Sequence, residues 1–402
     1  MKRRRNATAV FTLLHILLWP LTLSHSELST ADSHERRKRC GFQNASEADR
    51  KASDGKLAQY KESIGKKRLQ ELKDTTITID VYFHVMTNSD GDGQVTNEQI
   101  LKQIDVLNDA FEGSEPMYSE CAEFPFNYGD SHRTPFHFNL VNLVRIESDA
   151  AFSLDSTASR RLQAELRKGT CADLNVFTGD YEFLGEASLP QFCPENGVDF
   201  ESPADFDNVL ISYLTLPLSE LSDFTGLYDE GDTLVHEVGH FLGLEHTFEG
   251  GCEGGGDFVN DTPPEDRPAF ACPLGRDTCS GGGPDPIHNY MNYVDDCCMY
   301  QFTEGQTERM ILQATFYRGL DEIDEEWDDD DFHHIDDWDD MNDLEYSQID
   351  DEDIINVFDD EDFEDDLFND EDLDNNDIGC RYGENFYKEM KSSLRRFIRG
   401  TT

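Results

Sequence analysis

His236-Glu237-Val238-Gly239-His240-Phe241-Leu242-Gly243-Leu244-Glu245-His246 is the stretch that decides the fold of this 402-residue chain. On a helix, residues i and i+4 share a face, so His236 and His240 can grip one ion through neutral imidazoles. Glu237 stands one position on, close enough to take a proton from a water at the site without being a ligand itself. Gly243 tolerates positive φ and lets the chain turn sharply after the helix, which returns His246 as a third nitrogen ligand. Three nitrogen ligands and an open fourth position make a catalytic rather than a structural zinc site. Asp232 is the expected N-cap of this helix, which the pattern places over Thr233–Leu244.

Upstream, Thr75–Met86 alternates β-branched and aromatic residues as a strand does. Ile100, Ile104, Leu107 and Phe111 recur at helical spacing within Asn97–Phe111, and Phe136–Val144 reads as a second strand. Ser159–Lys168 reads as a helix ending at Gly169, with short buried strands at Leu174–Phe177 and Val209–Tyr213. Strands separated by helices imply an α/β fold, with a twisted, mostly parallel sheet beside the active-site helix. Beyond that helix the chain is rich in Gly, Pro and Cys up to about residue 302, and a helix follows at Glu304–Phe316. This half has little apolar periodicity, so it is expected to be an irregular subdomain held by disulfides or ions. Asn88-Ser89-Asp90-Gly91-Asp92-Gly93 opens like a calcium loop, but Gln99 stands where a bidentate Glu belongs; a polar turn is expected.

The ends differ in kind. Lys2–Arg5, the apolar run Val10–Leu23 and Ser24-His25-Ser26 form an expected signal peptide over residues 1–26, so the protein is expected to be secreted and extracellular. Residues 27–68 are polar, with basic clusters Arg36-Arg37-Lys38-Arg39 and Lys66-Lys67-Arg68. They read as a pro-region cut at one cluster, or a disordered arm, with no packed core. The catalytic domain is assigned to 69–320, an acidic low-complexity tail to 321–380 and a basic segment to 381–402. The tail holds 31 Asp and Glu with no Lys or Arg; without it the net charge falls from −52 to −21. Such a surface disfavours nucleic acid and anionic membranes and suits cations or basic partners. Apart from Val10–Leu23, no apolar run approaches membrane-spanning length. Ten cysteines in an exported chain read as disulfides; Cys171–Cys193 is one candidate bridge, and ten cysteines leave too many pairings for the sequence to settle.

Asn289-Tyr290-Met291-Asn292-Tyr293 lies about 45 residues beyond His246. A Met beneath a three-histidine site forms an apolar floor that fixes the ligands, and a Tyr two residues on can donate a hydrogen bond to an oxyanion. Together the two motifs resemble a metzincin-type zincin. The surrounding residues resemble the pappalysin family, proteases similar to the catalytic domain of pregnancy-associated plasma protein A. The likeness runs through Gly231-Asp232-Thr233, His246–Gly250, Gly256–Pro263, Cys272-Pro273, Asp277-Thr278-Cys279, Asp285–Met291 and Phe302–Gln306. It covers roughly 75–318. It implies a zinc endopeptidase acting on proteins or peptides, with zinc on His236, His240 and His246, Glu237 as base and acid, Met291 as the Met-turn and Tyr293 near the oxyanion. It also implies calcium in the loop after the zinc helix, where Asp257, Asn260, Asp261 and Thr262 supply hard oxygens. Its disulfide pattern implies Cys252–Cys279 and Cys272 with Cys297, although Cys298 is adjacent and could be the partner instead.

Arg39-Cys40-Gly41 resembles the pro-segment thiol that some metzincins use to occupy the fourth zinc position, which makes a zymogen; the other reading is an ordinary disulfide, with Cys380 for example. Asp295 and Asp296 follow the Met-turn, where metzincins wall the pocket for the residue after the cleaved bond, and a preference there for Lys or Arg is expected. The rival function is a non-catalytic binding protein whose tail captures cations or basic partners. A retired enzyme would be expected to lose Glu237 or Tyr293, and both are present.

Overall fold

The computed structural model describes residues 38–42, 46–114, 131–153, 157–193, 207–219, 227–253 and 255–320. The expected signal peptide, the acidic tail, the basic C-terminal segment and Cys380 lie outside them.

Six strands form one sheet in the order β1-β5-β6-β4-β2-β3: β1 Lys38–Cys40, β2 Ile77–Thr87, β3 Phe136–Glu147, β4 Leu174–Gly179, β5 Phe183–Ala187 and β6 Val209–Ser212. All neighbours are parallel except β5 against β6. The period-2 set Ile77, Ile79, Val81, Phe83 and Val85 of β2 faces the main core, with α2 (Asn97–Glu112) and α5 (Asp232–Phe241) against it. The other face is covered by α3 (Asp149–Ser153) and α4 (Thr157–Leu166), through Phe152 and Leu162 against Met86, Phe177 and Tyr181. The alternation is what buries both faces. The chain closes with α6 (Glu304–Arg318), whose Thr303 hydroxyl and Gln306 amide form a reciprocal capping box. No helix among the described residues is long and apolar enough to cross a membrane.

The N-terminal arm departs from expectation. Residues Glu47–Asp74 form a long helix, α1, so the boundary at 68/69 falls inside an element. Leu57, Leu69 and Leu72 are buried in the main core, with Tyr60 and Ile64 packed beside them. Tyr60 meets Phe316, Ser53 bonds Tyr317 at 3.0 Å, and Arg309 donates to Asp54 at 3.1 Å. Leu57, Tyr60 and Ile64 follow helical spacing, but Gly65 (φ 70°, ψ 166°) breaks the helix and Leu69 and Leu72 resume it out of phase. A periodicity test across the whole arm therefore averages two stripes away.

Within the described residues, Cys171–Cys193, Cys252–Cys279 and Cys272–Cys298 bridge the irregular regions. The partner of Cys272 is thus Cys298 rather than Cys297, which is itself disulfide-bonded elsewhere. The 3-10 turn Asp296–Cys298 decides between them, because successive residues of so tight a turn point in different directions. Asn88–Gly93 is a closed polar turn in which Asn88 and Asp92 bond each other.

Candidate active site

Helix α5 is buried along its whole length. Gly231 (φ 101°) is its N-cap and makes no side-chain cap bond; Asp232, expected in that role, is the first helical residue. The capping acceptor comes from a distant loop instead. Asp296 accepts from the N–H of Glu230 at 3.1 Å and from that of Asp232. Gly243 (φ 93°) turns the chain as expected, packs without a side chain against Gln313 of α6, and its carbonyl accepts from Arg309.

The turn brings His236, His240 and His246 together. His236 and His240 are 4.9 Å apart between ring centroids, His240 and His246 4.5 Å, and their ε nitrogens approach to 3.1 Å. His236 Nδ1 bonds the Tyr290 carbonyl at 2.6 Å and His240 Nδ1 the Leu244 carbonyl at 2.8 Å. A carbonyl only accepts, so both δ nitrogens carry the proton and both ε nitrogens present lone pairs. The buried His236 Nε2 has no hydrogen-bond partner among the described residues. Burial pushes all three imidazoles toward the neutral form, His240 to about 4. Neutral lone pairs converging in a buried place are a donor set for a soft-to-borderline cation, which fits zinc.

Met291 is fully buried beneath α5, its sulfur against Gly239, where any β-carbon would overlap it. Tyr293 stands over His246 at 4.9 Å between rings, and burial holds its hydroxyl well above the usual phenol range. Glu237 is buried, and burial raises its carboxyl well above the ordinary range. Gly185 of β5 leaves it room, since a β-carbon there would stand 2.5 Å from Glu237 Cγ. That glycine had no sequence signal, because the need for it arises from a side chain 52 positions away.

Cys40, at the end of β1, completes the cluster. Its Sγ lies 3.8 Å from His240 Nε2 and 3.6 Å from Glu237 Oε2, and it is unpaired and buried. The ligand atoms of Cys40 and the three histidines all fall within 4.8 Å of one another. Phe42 stacks on His240 at 4.1 Å. Arg39 reaches past α5: it donates to Thr233 at 2.8 Å and to Asp296 at 3.2 Å, and lies 4.5 Å over the Tyr228 ring. Asp296 is buried, while Asp295 is half-buried and bonds Tyr228.

The four residues expected to hold calcium divide. Both Asp257 oxygens accept from Thr262 Oγ1, at 2.9 and 2.7 Å, beside the Val259 carbonyl. Asp261 turns to the start of α6, accepting from Thr303 and Gly305, and Asn260 is exposed.

Against known proteins, residues 221–314 match the family model described as pregnancy-associated plasma protein-A. Extracellular metalloprotease 1 of Coccidioides posadasii is 36% identical over 299 residues, 72% of this chain and 94% of that one. The extracellular metalloprotease of Colletotrichum graminicola is 34% identical, over 73% of this chain and 96% of its own. Among solved structures, promirolysin of Tannerella forsythia superposes with TM-score 0.54 at 26% identity, covering 71% of this chain and 96% of its own. Mirolysin bound to a small compound gives TM-score 0.50 at 27% identity, covering 62% of this chain and 97% of its own.

Proposed function

Because this chain belongs to the pappalysin family of zinc metalloendopeptidases, we propose that it is secreted as a latent zymogen, with Glu237 as its general base and Cys40 closing the site. The observation that carries the reading is the buried cluster of His236, His240, His246 and Cys40 beside Glu237. Three imidazoles and a thiol are a complete tetrahedral set for zinc, so nothing is left open for a substrate while Cys40 stays. The longer match to promirolysin than to mirolysin, 71% against 62% of this chain, supports the same view.

His236, His240 and His246 would hold zinc, which would supply Lewis acidity toward the scissile carbonyl and toward water. The remaining chemistry belongs to the chain. Glu237, one position along α5 from His236, receives the attacking water's proton and passes it to the leaving amine. Tyr293 stays protonated and donates to the developing oxyanion. Met291 and the carbonyls of Tyr290 and Leu244 keep the imidazoles in place. Arg39 marks the specificity pocket: a guanidinium on Asp296, Thr233 and the Tyr228 ring stands where a substrate's Lys or Arg would sit just after the cleaved bond. Asp257 and Thr262, with the Val259 carbonyl, offer the oxygens for a structural calcium.

The processed protein should cleave a broad, unfolded protein substrate. Activity should be lost on chelation, return with zinc and be absent in Glu237→Ala. A folded, zinc-loaded and processed wild type without activity would sink the reading and favour a binding protein.

A further inference from the structure

Latency through Cys40 has a topological consequence. The strand carrying Cys40 leads through α1 directly into β2, which lies inside the sheet between β4 and β3. A cut in Arg36-Arg37-Lys38-Arg39 lies upstream of the thiol and would leave it tethered to the domain, and Arg39 is itself buried. A cut beyond Leu72 would strip Leu69 and Leu72 out of the main core. The bond whose cleavage frees Cys40 and leaves Leu69 and Leu72 with the domain therefore lies between Cys40 and Leu69.

Within that window α1 offers one break. Gly65 is its only non-helical residue, and φ 70° with ψ 166° is a conformation essentially confined to glycine. A protease binds its substrate extended, so a regular helix must first unwind. Upstream of Gly65 unwinding would pull Leu57 out of the core and break the ion pairs of Arg50 with Glu245 and Asp54 with Arg309. At Gly65 the helical ladder is already interrupted, and a β-carbon there would meet nothing within 4 Å. The next three residues are Lys66, Lys67 and Arg68; Lys66 is exposed and the Lys67 side chain is 93% exposed. Lys67 and Arg68 both lean toward Glu71, at 3.1 and 3.8 Å.

We infer that Gly65–Arg68 is the activation-cleavage site of the zymogen, read by an endopeptidase that recognises basic side chains. The inference rests on latency through Cys40. Two sources share that chemistry: a second, mature copy of this chain, cutting before a basic residue, or a trypsin-like enzyme, cutting after one.

The test uses the full-length Glu237→Ala chain as substrate, treated in one arm with trypsin and in the other with processed wild type. New N-termini are sequenced over time, and wild-type chain treated with trypsin in parallel is assayed for activity. The first cut in at least one arm is expected within Gly65–Leu69, and the arm that cuts identifies the source. Activity should rise with that cut. The Lys66→Gln/Lys67→Gln/Arg68→Gln chain should lose it and remain latent. Gly65→Ala, which drives this stretch toward regular helix while keeping the basic residues, should slow it roughly fivefold. First cuts elsewhere in both arms, with activity appearing alongside, would overturn the site and leave latency standing. Full activity in the uncut wild type would overturn latency, and the inference with it.

Discussion

The contribution of Arg39 can be measured away from the rest of the pro-segment. The perturbation is Arg39→Ala in a synthetic peptide of residues 36–46, added to the processed enzyme as an inhibitor. Arg39 makes a charge-assisted bond to Asp296, a bond to Thr233 and a cation–π contact with Tyr228. A hydrogen bond to a charged group is worth about 1.5–3 kcal/mol, and a neutral one about 1. The ring contact adds about 0.5–2 kcal/mol. Water refills the emptied pocket, so the upper part of that sum is not reached; a net of about 2–3 kcal/mol corresponds to a Ki weakened roughly 30- to 150-fold. Arg39→Lys keeps the charge but not the fork that spans Thr233 and Asp296, and should fall between the two. Cys40→Ser in the same peptide separates the thiol's share. The assay is steady-state inhibition on a peptide substrate with Arg after the scissile bond. An Arg39→Ala peptide within about threefold of the parent would refute the pocket assignment, since about 0.7 kcal/mol is less than the charge-assisted bond to Asp296 alone should give.

Two further outcomes follow from packing and from charge. Gly239→Ala places a methyl against the Met291 sulfur in a closed core, so thermal stability should fall by about 1–3 kcal/mol; an unchanged melting temperature would show that Met291 does not press on the helix. Asp257, raised from 3.8 to about 7 by burial, stabilises the fold in its protonated form. That stability is complete below 3.8 and lost as pH rises through about 7. In chelator the melting temperature should therefore decline across that window, and calcium should restore it above the window but not below; an Asp257→Asn chain with the same slope would refute the assignment.

The zinc helix was legible in the sequence because its logic is local: i and i+4 spacing and one glycine turn place two ligands and return a third. The strands of β2 and β3 and the helices α2 and α6 were legible because period-2 and helical stripes last long enough to be read. Helix α1 was not, because Gly65 resets its phase halfway. Strands β1 and β5 were missed for another reason. Three and five residues long, they carry too little alternation, and their place depends on pairing with each other and with β6.

What the sequence determined by itself was the kind of chemistry, since residue types at fixed spacing suffice for that. Tertiary structure alone decided which distant groups share the site. It set Cys298 rather than Cys297 against Cys272, and moved the helix cap from Asp232 to Asp296. Of the two readings of Cys40 it decided for the histidines over a disulfide, and it put Arg39 on Asp296. Each of these is a contact between residues far apart in the chain, fixed by how the core and the sheet edge close, and no local pattern encodes it.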